Sequence, residues 1–306
     1  MLVLNFDDLK NFNFCKTAIA LGSFEALHAG HLKIVESTVE CAKKNNIKSI
    51  ITISRKPIMK NRYLVCETLQ ERLDILSGTG VDIVVVFDFN EEFKSIEYTD
   101  FFKKYLLEIF KVSHIFTGFN YRFGYKAIGN TEKLLYLCKE NNIVLNITPP
   151  VSTDEIISST YIHKLIEKGD VESLNQALLR PYSIRGTVTS GRKIGVDLGF
   201  PTANIIFPEN KAIIKNGVYF GTAIVENKDY YAIINVGPQP TVSDEFTPRI
   251  EAHLLDFKGN LYESTIKLNF LVRMRDIQKF SDKNELIKQL NKDKIKAKEI
   301  IKANTF

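Results

Sequence analysis

The chain contains no apolar run approaching the ~20 residues of a membrane span, so it offers no transmembrane helix. It opens Met1-Leu2-Val3-Leu4-Asn5-Phe6-Asp7-Asp8, acidic and without the basic region and long apolar run of a signal peptide. Cysteines are few: Cys15, Cys41, Cys66 and Cys138 lie far apart, none in a CxxC pair. Free thiols in a reducing cytoplasm are the expectation. Tryptophan is absent, as are internal repeats and low-complexity tracts. Charge of either sign is also scarce in excess. The net +5 is spread thinly, with much of it in 283–302. That gives mild attraction to phosphorylated ligands and a weak case for nucleic acid. No membrane or nucleic-acid partner is called for, and a monomer or weak homo-oligomer is expected.

What is present is a soluble globular composition, 44% hydrophobic and 25% charged over 306 residues, enough for two ordinary domains. From 17 to 148 the texture alternates. Apolar runs at 17–21, 49–53, 82–87, 114–117 and 143–147 read as strands. Helical spacing at 32–43, 68–76, 98–110 and 131–141 separates them. Strands apolar on both faces, alternating with helices, predict a parallel sheet covered on both sides. Pro149-Pro150 ends that pattern, and short helices are expected from Ser158 to 167 and over 171–179. After Pro181 come short β-rich segments: 182–189, 202–207, 218–226, 230–236, 250–256 and 261–272. This spacing predicts a small antiparallel barrel, with hairpin turns at Asn227-Lys228-Asp229 and Lys258-Gly259-Asn260. An amphipathic helix over 282–303, with Leu286, Leu290, Ala297 and Ile301 on one face, is expected to pack on it. The domains are therefore placed at 1–180 and 181–306.

Two motifs carry chemistry. The first strand runs into Gly22-Ser23-Phe24-Glu25-Ala26-Leu27-His28-Ala29-Gly30-His31. Two imidazoles and a close backbone approach, at a strand end and helix start, suit a triphosphate. A lone His would more often be structural, but HxGH in this context is specific. The second motif is Gly199-Phe200-Pro201-Thr202-Ala203-Asn204. Residues two apart in extended chain face the same way, so Thr202 and Asn204 can address one ligand. Their oxygens suit a hard cation such as Mg²⁺. An ordinary Gly-Pro turn entering a strand is the alternative. Ser158-Ser159-Thr160 offers either a simple helix cap or hydroxyls and amides for phosphate.

In order and spacing these pieces resemble the bacterial bifunctional riboflavin kinase/FAD synthetase family over about residues 15–300. The resemblance is carried first by Gly22-Ser23-Phe24 and His28-Ala29-Gly30-His31. Gly118-Phe119-Asn120-Tyr121-Arg122-Phe123-Gly124, Gly129-Asn130 and Ile157-Ser158-Ser159-Thr160 extend it through the first domain. In the second it rests on Gly195, Leu198 to Asn204, Gly217-Val218-Tyr219, Asn235-Val236-Gly237, Pro240-Thr241 and Glu251-Ala252-His253-Leu254-Leu255-Asp256-Phe257.

The resemblance implies a Rossmann-like α/β nucleotidyltransferase domain followed by a riboflavin kinase barrel. The barrel would phosphorylate riboflavin with ATP and Mg²⁺; the first domain would join FMN to AMP from a second ATP, giving FAD. It implies Thr202 and Asn204 on the metal side, Glu251 as base, and Gly195 and Gly199 in a flap (191–199) over the phosphates. His28, His31, Gly22, Phe24, Gly30, Ser159 and Thr160 fall to the nucleotide of the first domain. Asn120, Arg122 and Phe123 border the FMN or nucleotide pocket. Arg273 and Arg275 are offered either to flavin and phosphate or to solvent.

Departures fall in the first domain. Glu25-Ala26 stands for the usual Asp-Gly, Lys56 for a His, and Tyr161 and His163 for two arginines. Alanine at 26 would bear the cost of a positive φ that glycine avoids. Arginine would have given bidentate phosphate contacts that neutral His does not. A kinase whose first domain is a scaffold, or a nucleotidyltransferase for another acceptor, stays open here. A nucleic-acid-binding barrel would need a basic face around Tyr219, Tyr230 and Tyr231, where Lys and Arg do not cluster.

Overall fold

A computed structural model describes residues 1–55, 64–190, 199–238 and 248–303. Two compact units emerge, Met1–Tyr161 and Ile162–Phe306.

The first unit is built on a six-stranded sheet in which every pairing is parallel. Its strands are β1 (Leu2–Asn5), β2 (Thr17–Ala20), β3 (Lys48–Ser54), β4 (Ile83–Phe87), β5 (Val112–Gly118) and β8 (Val144–Thr148), in the order β1-β4-β3-β2-β5-β8. β2 and β4 are buried along their whole length, as a sheet covered on both faces requires. One face packs under α1 (Ala29–Asn45) and α2 (Leu69–Ser77), through Ile34, Val35, Val39 and Leu76. The other packs on Phe101, Phe102, Tyr105 and Leu106 of a π-helix, Phe101–Ile109, and on Leu134 of α3 (Thr131–Glu140). The chain steps outward from β2 through β3 to β4, then crosses back to β5 on the other side of β2. The strand order therefore reverses between β2 and β5, where ligands bind in open α/β sheets.

The helices and strands expected over 17–148 are present, with ends shifted by a few residues. β1 was not expected. It adds to the sheet edge in register with β4, Leu2 opposite Ile83 and Val3 opposite Val84. Between β5 and α3, β6 (Arg122–Phe123) and β7 (Gly129–Asn130) pair as a two-stranded ribbon, also unexpected.

The division between units falls inside α4 (Ser159–Lys168), upstream of the change of texture at Pro181. α5 (Val171–Leu178) explains this. Its Asn175 donates to the Phe270 carbonyl at 2.8 Å and accepts from the Tyr182 N–H at 2.7 Å, tying the helix to the strands that follow.

Those strands are β9 (Tyr182–Thr189), β10 (Ala203–Ile206), β11 (Gly217–Val225), β12 (Lys228–Pro238), β13 (Pro248–Leu254) and β14 (Thr265–Arg275). They close into an antiparallel barrel in the order β10-β13-β12-β11-β14-β9. The β11–β12 hairpin turns at Glu226 and Asn227, both at positive φ (47° and 63°), with Val225 facing Lys228. This two-residue turn matches strand twist; it lies one residue earlier than the sequence suggests. At Gly221 a Cβ would fall 1.9 Å from the Asn269 carbonyl oxygen, beside a register shift. Only glycine permits that approach at a barrel bend.

α6 (Lys283–Ala303) lies on the outer wall, covering Val218, Phe220, Ile233 and Met274 with Ala297, Ile300 and Ile301. Its buried Asp293 accepts a forked pair of hydrogen bonds from Arg275 (2.9 and 2.7 Å). Arg275 is thereby a structural anchor and not a ligand-facing cation.

Candidate functional site

In the first unit the glycine-rich turn lies at the carboxyl end of β2, on the β2/β5 switch point. Thr52 of β3 holds it, accepting from the Gly22 N–H at 3.1 Å. Phe24 is fully buried with φ 45°, a left-handed backbone that costs a non-glycine residue energy. Its ring lies so close that a Cβ on Gly22 would sit 2.7 Å from it. The positive φ expected at Ala26 is therefore at Phe24; Ala26 is buried without it, and that expected cost is absent.

His28 is the N-cap of α1, its Nδ1 accepting from the His31 N–H at 3.3 Å. The two imidazoles stack, centroids 3.8 Å apart and 17° from parallel, and a Cβ on Gly30 would press on His28 at 3.3 Å. His31 Nδ1 lies 2.6 Å from the Ala26 carbonyl. A carbonyl only accepts, so Nδ1 carries the proton and neutral His31 presents a lone pair at Nε2. His28, accepting at Nδ1, carries its proton at Nε2. Burial lowers the His31 pKa to about 4, against the opposing Ala26 hydrogen bond and nearby Glu25.

Buried charge secures this loop from beneath, a feature sequence reasoning missed. Arg72 of α2, 1% exposed, donates to the carbonyls of Ser23, Phe24 and Arg55. Glu67 accepts from the Leu27 N–H at 2.9 Å, and Glu25 from the Cys66 N–H at 3.0 Å. The Glu25 departure thus has a structural job. Nothing in the pattern of α2 marks Arg72, since a single Arg on an amphipathic helix is ordinary.

At the end of β5, Asn120 and Arg122 are exposed, beside exposed Phe119, Tyr125 and Ile128. Phe123 is buried in the core against Phe101 and Tyr98. Its ring is occupied by packing, which leaves the exposed groups around it to meet a ligand. At α4, Ser158 Oγ accepts from the Tyr161 N–H at 3.2 Å, so Ser158 is the cap. Ser159 is half-buried and Thr160 exposed. His163 is buried. Lys56 lies outside the described residues.

In the barrel, Ile250 and Ala252 point inward and are fully buried, and Ala203 and Ile205 opposite them are buried too. Alternation then puts Arg249, Glu251 and His253 on the outer face of β13, with Asn204 outward on β10 and Thr202 exposed just before it. Asn204 and Glu251 are directly opposed cross-strand partners, and Asn235 of β12 flanks Glu251. Two residues that sequence reasoning left unassigned hold them. Arg249 donates to Asn204 Oδ1 (3.0 and 2.6 Å) and pairs with Glu251 Oε1 at 2.7 Å. His253 Nδ1 donates to the Pro201 carbonyl at 2.8 Å, its ring against Phe200. The period-two run Arg249, Glu251, His253 between apolar residues was the available signal. Gly199 has φ 76° and open space around it, as a turn glycine should. Gly195, the rest of the 191–198 flap, Pro240 and Thr241 lie outside the described residues.

Arg273 is not drawn to this group by strand pairing, because β14 neighbours β11 and β9. It donates to the Asn216 carbonyl (3.1 Å) and to Asp276 (2.7 Å), beside the Tyr219 ring. That hydrogen bond lowers the Asp276 pKa.

Among the described residues no three His, Cys, Asp or Glu cluster as a metal cage. The cation chemistry on offer is neutral oxygen, Thr202 and Asn204, which suits an ion that keeps waters and phosphate oxygens as its other ligands. No helix of the described residues is long and apolar enough to cross a membrane.

Comparison with known proteins divides the chain the same way. The FAD synthetase family profile matches residues 11–161 and the riboflavin kinase profile residues 178–301. A bifunctional riboflavin kinase/FMN adenylyltransferase of Buchnera aphidicola (subsp. Schizaphis graminum) is 33% identical, covering 95% of this chain and 96% of its own. One of the same description from Bacillus subtilis is 29% identical, covering 92% of each. A Streptococcus pneumoniae crystal structure described as a macrolide-efflux protein superposes with TM-score 0.88 at 26% identity, over 97% of this chain and 99% of that one.

Proposed function

The chain belongs to the bifunctional riboflavin kinase/FMN adenylyltransferase family, and from that premise we propose which of its residues carry each of the two reactions. The C-terminal barrel transfers the γ-phosphoryl of ATP to riboflavin, giving FMN and ADP. The N-terminal unit joins FMN to the AMP part of a second ATP, giving FAD and pyrophosphate. The readings of an inert first domain, or of another acceptor, are not favoured.

For the kinase step, the carrying observation is the direct opposition of Asn204 and Glu251 across β10 and β13. The 5′-hydroxyl oxygen of riboflavin bonds to the γ-phosphorus as the bridging P–O bond to ADP breaks. Glu251 takes the hydroxyl proton, and Thr202 and Asn204 hold the metal side of the nucleotide. Thr202 and Asn204 would hold a Mg²⁺ ion there, which would supply charge neutralisation to the phosphates. His253 fixes the backbone entering β10 through Pro201, so both oxygens keep their direction. Gly199 gives the turn that starts the strand, and Gly195 is assigned to the ATP phosphates. Arg273, held by Asp276, is assigned to the flavin.

For adenylyl transfer no base is needed. The FMN phosphate is largely ionised at pH 7, its second pKa being about 6. Its oxygen bonds to the α-phosphorus of ATP, and the α–β bridging bond breaks to release pyrophosphate. The residues supply position and charge. Gly22, Phe24 and Gly30 shape the turn under the phosphates. His28 donates from Nε2–H, and His31 donates from Nε2 once nucleotide charge has drawn a proton onto it. Ser159 and Thr160 serve the outer phosphates, and Asn120 and Arg122 the FMN, with Phe123 fixing their loop from the core. The four free thiols fit a reducing cytoplasm.

The test is a product assay with riboflavin and with FMN supplied separately, each with ATP and Mg²⁺. FMN from the first and FAD with pyrophosphate from the second are expected. Absence of FAD and pyrophosphate from the second would sink the adenylyl assignment, and absence of both FMN and FAD from the first the kinase assignment.

A further inference from the structure

Arg249 has no role in either reaction as assigned above, yet it touches both key groups of the kinase site. Nε and Nη2 donate to Asn204 Oδ1, and Nη2 also reaches Glu251 Oε1. The side chains are 30% (Arg249) and 23% (Glu251) exposed, so the guanidinium lies at the surface where a ligand arrives. An amide oxygen has two lone pairs, and here it meets two N–H groups at once. A metal ion drawn to the same oxygen would meet a like charge at contact distance. The planar fork of arginine reaches both oxygens, which a point ammonium does less well. His253, by contrast, grips the Pro201 carbonyl, an atom no metal ligand role requires.

We infer that Arg249 is a positioning residue of the kinase half: its guanidinium occupies the cation position between Asn204 and Glu251, and gives way to the incoming metal–nucleotide. It keeps the two oxygens aimed at one point before the ligand binds. The inference rests on the assignment of Asn204 and Glu251 to that site.

The test uses the full chain and Mn²⁺ with ADP, followed by the electron paramagnetic resonance signal of free Mn²⁺. The barrel's share of binding is the component lost in Asn204→Ala. In Arg249→Met that component should tighten about fivefold, because a competing cation is gone. The half-saturating Mg²⁺ of the kinase assay should fall by the same factor, while kcat falls about tenfold as the two oxygens lose their support. Arg249→Lys, which keeps charge without the fork, should tighten Mn²⁺ by about twofold. Unchanged or weaker Mn²⁺ affinity in a normally melting Arg249→Met overturns the inference; if that variant fails to fold, unchanged affinity in Arg249→Lys does so. Failure of the site assignment looks different: Asn204→Ala then removes no Mn²⁺ component at all.

Discussion

The barrel and the sheet unit place their proposed site residues by opposite means. In the barrel, strand register does it: Asn204 faces Glu251 because β10 and β13 pair there, and alternation sends both outward while Ala203, Ile205, Ile250 and Ala252 fill the interior. A one-residue slip would invert every side chain, so the apolar core itself enforces the site. In the sheet unit the groups stand on a loop and a helix cap. They are held by backbone hydrogen bonds to Thr52, by buried Arg72, Glu67 and Glu25, and by a strained Phe24. A site fixed by core register tolerates little change in its own residues. A site propped by a surrounding shell tolerates exchange so long as the shell adapts. The first-domain departures fit that difference: Glu25 has become a buried backbone cap, Ala26 is a core residue, and His163 is buried.

Experiments can break this contrast. The largest expected effect is Glu251→Gln, which should lower riboflavin phosphorylation by about a thousandfold and leave FAD formation from supplied FMN intact. Normal kinase turnover would show that register has not placed the base. His31→Ala should lower FAD formation by about a hundredfold with phosphorylation unchanged; equal loss of both reactions would count against separate sites. Arg72→Met should destabilise the first unit by about 3 kcal/mol, since it leaves three carbonyls and buried Glu25 without their cation. An unchanged melting transition of the first unit in this variant would remove the propping role.

The smallest effect is spectroscopic. In the free protein the His31 ring should titrate near 4 by nuclear magnetic resonance, and bound ATP should raise that value. A histidine depressed below its ordinary 6.5 leaves the folded state binding fewer protons than the unfolded chain. Its contribution is intact above 6.5 and is lost as pH falls toward 4. An ordinary His31 titration in the free protein would contradict the half-buried, Ala26-bonded geometry.

Much of this was legible in the sequence. The parallel sheet showed through apolar runs at 49–53 and 82–87, the barrel through six short segments, and both motifs through spacing. β1 was not legible, because four residues at a sheet edge, three of them exposed, carry little pattern. Nor was the β6–β7 ribbon, whose strands are two residues each. Arg249 and His253 stood in a readable alternation, but which neighbours they meet depends on β10, far away in the chain.

By itself the sequence determined the two-domain order, the strand and helix periods, and the residue types at each motif, because those are local properties. Tertiary structure alone decided that Asn204 meets Glu251 under Arg249, that Arg275 is spent on Asp293, and that Phe123 and His163 are core residues. Those outcomes depend on pairing and burial between distant segments, which no local pattern records.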